Sequence, residues 1–318
     1  MARVLTGDKI IASIRKKTSI PDDPSEFTDE DILDSVDEEM NTQVLDKLLK
    51  LHAEHLVISV DVPRNEAGEY EIPYRAIGNK LRDASLISGG TSYELSQVSI
   101  GSLPDYTNDV STRSELDLFY IENNKLKLIS PNRSYSSIRI RYYIRPSYLT
   151  KVEEAGIISS LVQDTVAGTL TVTISQVGKS FNSSSIFDIV GKLTPNKIKN
   201  FDLTPVSFTS GTSGILVFNL ADISNVDDII VGDYVSLAEE TPIPNIPTEM
   251  QPLLVQATAV SILESMGDFE ALARAEKRMA EMSAATQFLV DDRVELAPKK
   301  IRPRHGTLNR GSRNGGRS

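Results

Sequence analysis

The chain has 318 residues, of which 40% are hydrophobic and none is cysteine. That leaves room for about two domains with real cores and excludes disulfides, thiolate catalysis and thiolate metal ligation. With 34 Lys+Arg against 44 Asp+Glu the net charge is −10, which argues against a generic nucleic-acid coat. No run of about 18 apolar residues is present, so no membrane-spanning segment is expected, and residues 1–20 lack the apolar core and cleavage site of a signal peptide.

Both ends read as helix and the middle as β. Thr6-Gly7-Asp8 ahead of Ile10, Ile11 and Ile14 predicts a short helix ending before Pro21, and Pro21-Asp22-Asp23-Pro24 a turn. Thr28, with Asp31 three residues on, has the spacing of a capping box. Ile32, Leu33, Val36, Met40, Val44, Leu48 and Leu51 then recur at three or four residues and predict one long helix. Eleven acids and no base lie between Asp22 and Asp46, a charged outer face.

From about Leu56 the period becomes two. Residues 57–62 read as a strand stopping at Pro63, and 70–72 as its continuation after a turn. Phe119-Tyr120-Ile121, Asn123-Asn124 and Leu126-Lys127-Leu128 read as a hairpin, with 138–145 as its expected partner strand. In that strand Ile138, Ile140, Tyr142 and Ile144 line one face and Arg139, Arg141, Tyr143 and Arg145 the other. A Ser/Gly/Thr/Val-rich stretch over 156–238 holds further strands at 169–174, 215–218 and 231–237 and predicts a second β module or an elaboration of the first.

Pro242, Pro244 and Pro247 predict a stiff extended connector. It leads into a helix over 249–266 with Thr248 as cap and Pro252 in its opening turn. Gly267 ends that helix and Asp268 caps the next, which carries Leu272, Ala275, Met279, Met282 and Leu289; the two make an αα-hairpin. The fold class expected is α+β, with N- and C-terminal helices (1–56 and 247–297) forming a helical bundle domain and a large β-rich insertion, 57–150 and 151–246, between them. Residues 298–318 follow as an arm with seven basic residues and no acid. Without the arm, 27 of the 34 basic residues face 44 acids.

No residue set nominates a catalytic centre, a cofactor site or a metal site, and no enzyme activity is expected. His52 and His55 flank Glu54, but no third metal ligand is signalled, so a surface or interface pair is the simpler reading. No Ser-His-Asp, nucleophile-elbow or Walker pattern occurs, and Gly89-Gly90-Thr91 and Gly211-Thr212-Ser213-Gly214 read as turns. Carboxylate pairs are abundant, as in a polysaccharide hydrolase, yet none is singled out. The Arg139/Arg141/Arg145 face has three open readings: phosphate contact, pairing with acids of a neighbouring subunit, or plain solvation. The arm suits docking on a protein or contact with nucleic acid.

Four stretches together resemble the head-to-tail adaptor (connector) proteins of tailed bacteriophages. They are residues 72–83 (Ile72-Pro73-Tyr74-Arg75-Ala76-Ile77-Gly78-Asn79-Lys80-Leu81-Arg82-Asp83), the strand Arg139-Ile140-Arg141-Tyr142-Tyr143-Ile144-Arg145-Pro146, Glu240-Thr241-Pro242-Ile243-Pro244 running into the helix hairpin, and the stretch from Arg293-Val294-Glu295 through Lys299-Lys300-Ile301 to Leu308-Asn309-Arg310. The extension after Arg310 departs from the family's usual ending. The resemblance implies a homo-oligomeric ring, often a dodecamer, in the virion neck beneath the portal protein, joined below to tail or further neck proteins. Double-stranded DNA would pass through the lumen, with no cofactor and no membrane. It also implies that the arm docks on the portal through Lys299, Lys300, Ile301, Arg302, Arg304, Leu308 and Arg310. An acidic wall suits sliding DNA, because a basic one would grip phosphate with a steep salt dependence. Another neck, tail or baseplate structural protein, or a nucleic-acid-binding module built on the arm, are the alternatives.

Overall fold

A computed structural model of the chain describes residues 4–20, 27–102, 117–129, 134–192, 198–211 and 213–290. The N-terminal helices are α1 (Gly7–Thr18), α2 (Asp29–Glu39) and α3 (Leu45–Leu51), with a π-helical turn, Met40–Val44, joining the last two. The capping box at Thr28 forms: Asp31 N donates to Thr28 Oγ1 at 3.1 Å and Thr28 N to Asp31 Oδ2 at 2.8 Å. The π turn answers a feature of the sequence. Ile32, Val36, Met40, Val44 and Leu48 step by four, which overshoots a 3.6-residue turn each time. One wider turn at Met40–Val44 brings the stripe back, and all five side chains are buried.

Among the described residues nine strands follow: β1 (Val57–Pro63), β2 (Glu69–Glu71), β3 (Ala76–Ser88), β4 (Thr91–Glu94), β5 (Ser96–Gln97), β6 (Leu118–Glu122), β7 (Lys125–Ile129), β8 (Ser137–Ile144) and β9 (Tyr148–Leu149). They build two four-stranded sheets, ordered β1-β8-β3-β4 and β2-β7-β6-β5. The hairpin β6–β7 turns at Asn123 and Asn124, both at positive φ (49° and 61°), as a two-residue primed turn requires. Its expected pairing with the 138–145 strand does not occur. β8 already has β1 on one edge and β3 on the other, so it has no ladder positions left, and the hairpin pairs with β2 and β5 instead. Side chains of the two sheets share one core, with Tyr70, Phe119 and Leu126 from the hairpin's sheet and Ala84, Leu86, Ile138, Ile140 and Tyr142 from the other.

The next strands are β10 (Gly156–Asp164), β11 (Thr169–Ile174), β12 (Phe187–Val190), β13 (Ile198–Leu203), β14 (Ser207–Thr209), β15 (Gly214–Asn219) and β16 (Tyr234–Leu237). They form one antiparallel sheet ordered β13-β12-β16-β10-β11-β15-β14. The sheet curls on itself. Phe187 on β12 and Phe218 on β15 are separated by three intervening strands, yet their rings lie 6.4 Å apart. The bend falls in β10, where the register shifts between Ile158 and Ser160, the usual device for turning a sheet.

The last strand among the described residues, β17 (Glu240–Thr241), pairs in parallel with β9, and α4 (Gln251–Met266) and α5 (Phe269–Val290) follow. Gly267 ends α4 at φ 72°, and Asp268 Oδ1 accepts from Ala271 N at 3.0 Å to cap α5. Thr248 is not the cap of α4. Residues 247–250 form a turn, with Met250 N bonded to Pro247 O at 2.8 Å, and the helix begins at Gln251 with Pro252 in its first turn. No helix among the described residues is long and apolar enough to cross a membrane.

The expected fold, a helical bundle domain with a β-rich insertion, needs correcting. The chain is α+β with helices at both ends flanking a large β-rich region, but the helices do not close a core of their own. α1, α2 and α4 pack together, and their apolar faces are completed by Leu149 of β9, Tyr143 of β8 and Ile246. The physical reason is supply: among residues 269–286 of α5 only Thr286 is buried, so that helix covers little and strand residues fill the gap. The seam is tight. Gly7 N donates to Pro242 O at 2.9 Å, and a Cβ on Gly7 would sit 2.1 Å from Thr150 O. The proline-rich connector is likewise no free linker: residues 241–246 are all buried, with Ile243 in the β core and Ile246 in the helical core.

Two buried carboxylates tie these layers. Asp188 of β12 receives Arg75 through two bonds (2.7 and 3.1 Å) and also accepts from Asp202 N and Glu239 N. Arg75 reaches Asp202 as well, at 2.7 Å. Arg75 is 3% and Asp188 0% exposed, so the pair joins the first β layers to the curled sheet out of water. Removing one partner strands the other's charge, and Asp188→Ala is expected to cost about 3–5 kcal/mol in urea unfolding. Arg139→Ala, which breaks a half-exposed pair, is expected to cost under about 1 kcal/mol in the same measurement.

Asp37 of α2 accepts Leu149 N on both carboxylate oxygens, at 3.0 and 3.2 Å. Burial raises its pKa to about 7, with neighbouring Asp34 adding to the rise and the Leu149 N–H opposing it. Because the folded value lies above the unfolded one, the group favours the fold at low pH and loses that contribution as pH climbs from about 4 to about 7. Asp37→Asn is therefore expected to gain on the wild type, by on the order of 3 kcal/mol, between pH 4 and pH 8 in denaturant titrations.

Candidate functional site

α1 and α5 both lean on α4 and diverge above it, leaving a cleft of about 720 Å³. Its walls carry Lys16 and Lys17 from α1 and Arg274 and Arg278 from α5, with Gln256 of α4 at the floor. Arg274 and Arg278 stand four apart, so they share one face of α5. The lone acid of the lining, Asp268, is already engaged as the cap of α5. In a chain of net charge −10 this is a local reversal of sign.

Gln256 fixes the geometry. It is buried in an otherwise apolar helix face, accepts from Lys17 Nζ and donates from Nε2 to Ala275 O at 3.1 Å, so one side chain links both walls. Burial lowers the Lys17 pKa, and the charge of Arg278 lowers it further. Arg274 leans on Glu270, one turn earlier, at 3.5 Å. Lys16 and Arg278 have no ion-pair partner among the described residues. Four donors converging on a bridged cleft are suited to hold carboxylates or other anions.

The sequence-nominated residues lie elsewhere. Arg139 makes a two-pronged pair with Asp61 of the adjacent strand (2.7 Å for each bond), and Arg141 meets Asp83 at 2.8 Å on the other side. Those carboxylates are cross-strand neighbours, fixed by the pairings Asp61↔Arg139 and Asp83↔Arg141. Both arginines are thus neutralised within their own sheet, while Arg145 beyond the strand's end is exposed. The arm residues Lys299, Lys300, Ile301, Arg302, Arg304, Leu308 and Arg310 lie outside the described residues. His52 and His55 do not share a helical face. α3 ends at Leu51, their rings stand 6.1 Å apart, and Glu54 pairs with Arg82. Among the described residues no three His, Asp or Glu gather in a way that would hold a metal ion.

Sequence reasoning missed the cleft because its walls are some 250 residues apart in the chain. The signal available was Lys16-Lys17 at the end of one helix and Arg274/Arg278 at helical spacing in another, but nothing local says that they face each other. No family model and no curated protein matches the chain. Since Arg139 and Arg141 are already paired, the double variant Arg139→Ala/Arg141→Ala is expected to change duplex-DNA affinity less than twofold at low salt, checked by fluorescence anisotropy.

Proposed function

We propose that the chain is a structural virion protein: a subunit of a head-to-tail adaptor ring beneath the portal of a tailed phage, joining capsid to tail and letting double-stranded DNA pass. The observation that carries this reading is the state of α5. This 22-residue helix has a single buried residue over 269–286, and at its turn Phe269 is 78% exposed beside exposed Met266. A helix of that length draws its stability from packing an apolar face. Among the described residues Leu272, Met279 and Met282 are partly exposed, an apolar edge that a neighbouring copy would cover.

The charge distribution supports the same role. Self-repulsion at −10 keeps free subunits apart, and a net acidic chain suits a wall along which a polyanion slides. The ring, its twelvefold count and the docking of the 298–318 arm on the portal come from the family resemblance. Native mass spectrometry of the chain alone and with portal protein checks the reading. The expected result is a closed oligomer, or a portal complex carrying a fixed number of copies. A chain that stays monomeric and ignores the portal would overturn it.

A further inference from the structure

The exposed acids of α2 are not scattered. Glu30, Asp34 and Glu38 stand four apart and form one stripe about 12 Å long, by the rise of a helix. No described cation lies within ion-pair distance of any of the three. Their neighbours are already engaged: Asp29 with Arg15 and Lys151, Asp31 with the Thr28 cap, Asp37 with Leu149. The stripe is therefore an unneutralised acidic ridge, and the cleft between α1 and α5 is a partly unneutralised cationic groove.

The two cannot meet within one chain. α2 packs against α1 and α4 and contributes no residue to the cleft. We propose that the ridge of one copy seats in the cleft of the next, with Glu30, Asp34 and Glu38 facing Lys16, Lys17, Arg274 and Arg278. This rests on the ring reading and supplies its subunit contact. Two distinct patches on each copy make a heterologous interface, which repeats head to tail and closes if the rotation allows. Copies that each carry −10 need such a local complement before they can lie side by side. The chain's own basic arm, with seven cations and no acid, has the wrong charge to complement the cleft. A bridged cleft with Arg274 and Arg278 on one wall also suits carboxylates presented at the same four-residue spacing.

The test uses full-length protein and charge reversal on each patch. Lys16→Glu/Arg278→Glu cancels the positive charge of the cleft's four cations, and Asp34→Lys/Glu38→Lys reverses the ridge. All four positions are exposed, so the monomers should keep the wild-type circular dichroism. Mass photometry and sedimentation should show each double variant at least tenfold weaker in self-association. Mixing the two, or combining all four changes in one chain, should restore assembly. Assembly unchanged by either reversal, or folded variants that mixing does not rescue, would sink this interface while the ring reading stands. Wild-type protein that never self-associates would sink both. If cleft reversal leaves assembly intact but abolishes duplex-DNA binding, the cleft serves nucleic acid and the proposal is wrong.

Discussion

Everything in this fold is arranged around a short extended segment, residues 241–246, that runs buried between the helices and the sheets. Buried backbone must have every N–H and C=O satisfied, and a non-helical segment in the interior is hard to satisfy. Two of its six residues are prolines, which bring no N–H to pair. Thr241 Oγ1 accepts from Ile243 N and donates to Ile243 O, and Pro242 O takes Gly7 N. With those groups answered, Ile243 and Ile246 can point into different cores. The same prolines that mark a spacer in sequence allow the segment to serve as a spine.

That spine makes the helical and β parts interdependent. The seam holds Gly7 against Thr150 and Asp37 against Leu149, and further out Arg75 bridges to Asp188. The first is a steric fit that leaves no room for a side chain at Gly7, and the other two are buried polar contacts. Movement of the helices as a rigid unit over the sheets would break several at once, so the chain presents its surfaces at fixed relative positions. Such rigidity is what a repeating assembly asks of its parts, because small angular errors between subunits accumulate around a ring.

The charges divide along the same lines. Where a strand placed an arginine across from an acid, the pair was settled inside the chain, as with Arg139 and Asp61 or Arg141 and Asp83. Helices α1, α2 and α5 leave their ridge and groove charges largely unpaired by comparison, and no residue of α2 lines the groove. In the proposed adaptor role the Arg139 and Arg141 charges are therefore spent within the sheet, and the helical layer offers the unpaired ones.

Local chemistry alone determined a good deal. The capping box at Thr28, the primed turn at Asn123-Asn124, the alternation of β8 and the Gly267 stop with its Asp268 cap are all short-range effects, in which neighbours a few residues apart decide the outcome. The stripe over α2 and α3 read as one continuous helix, and only the structure showed the π turn at Met40–Val44 within it. What the tertiary structure alone decided were the long-range matters: which sheet the β6–β7 hairpin joined, the curl that brings Phe187 to Phe218, the burial of the connector, and the meeting of Lys16, Lys17, Arg274 and Arg278 around Gln256. These depend on which edge is already occupied and which face is left uncovered. Such facts exist only once the whole chain has packed, because no window of sequence contains both partners.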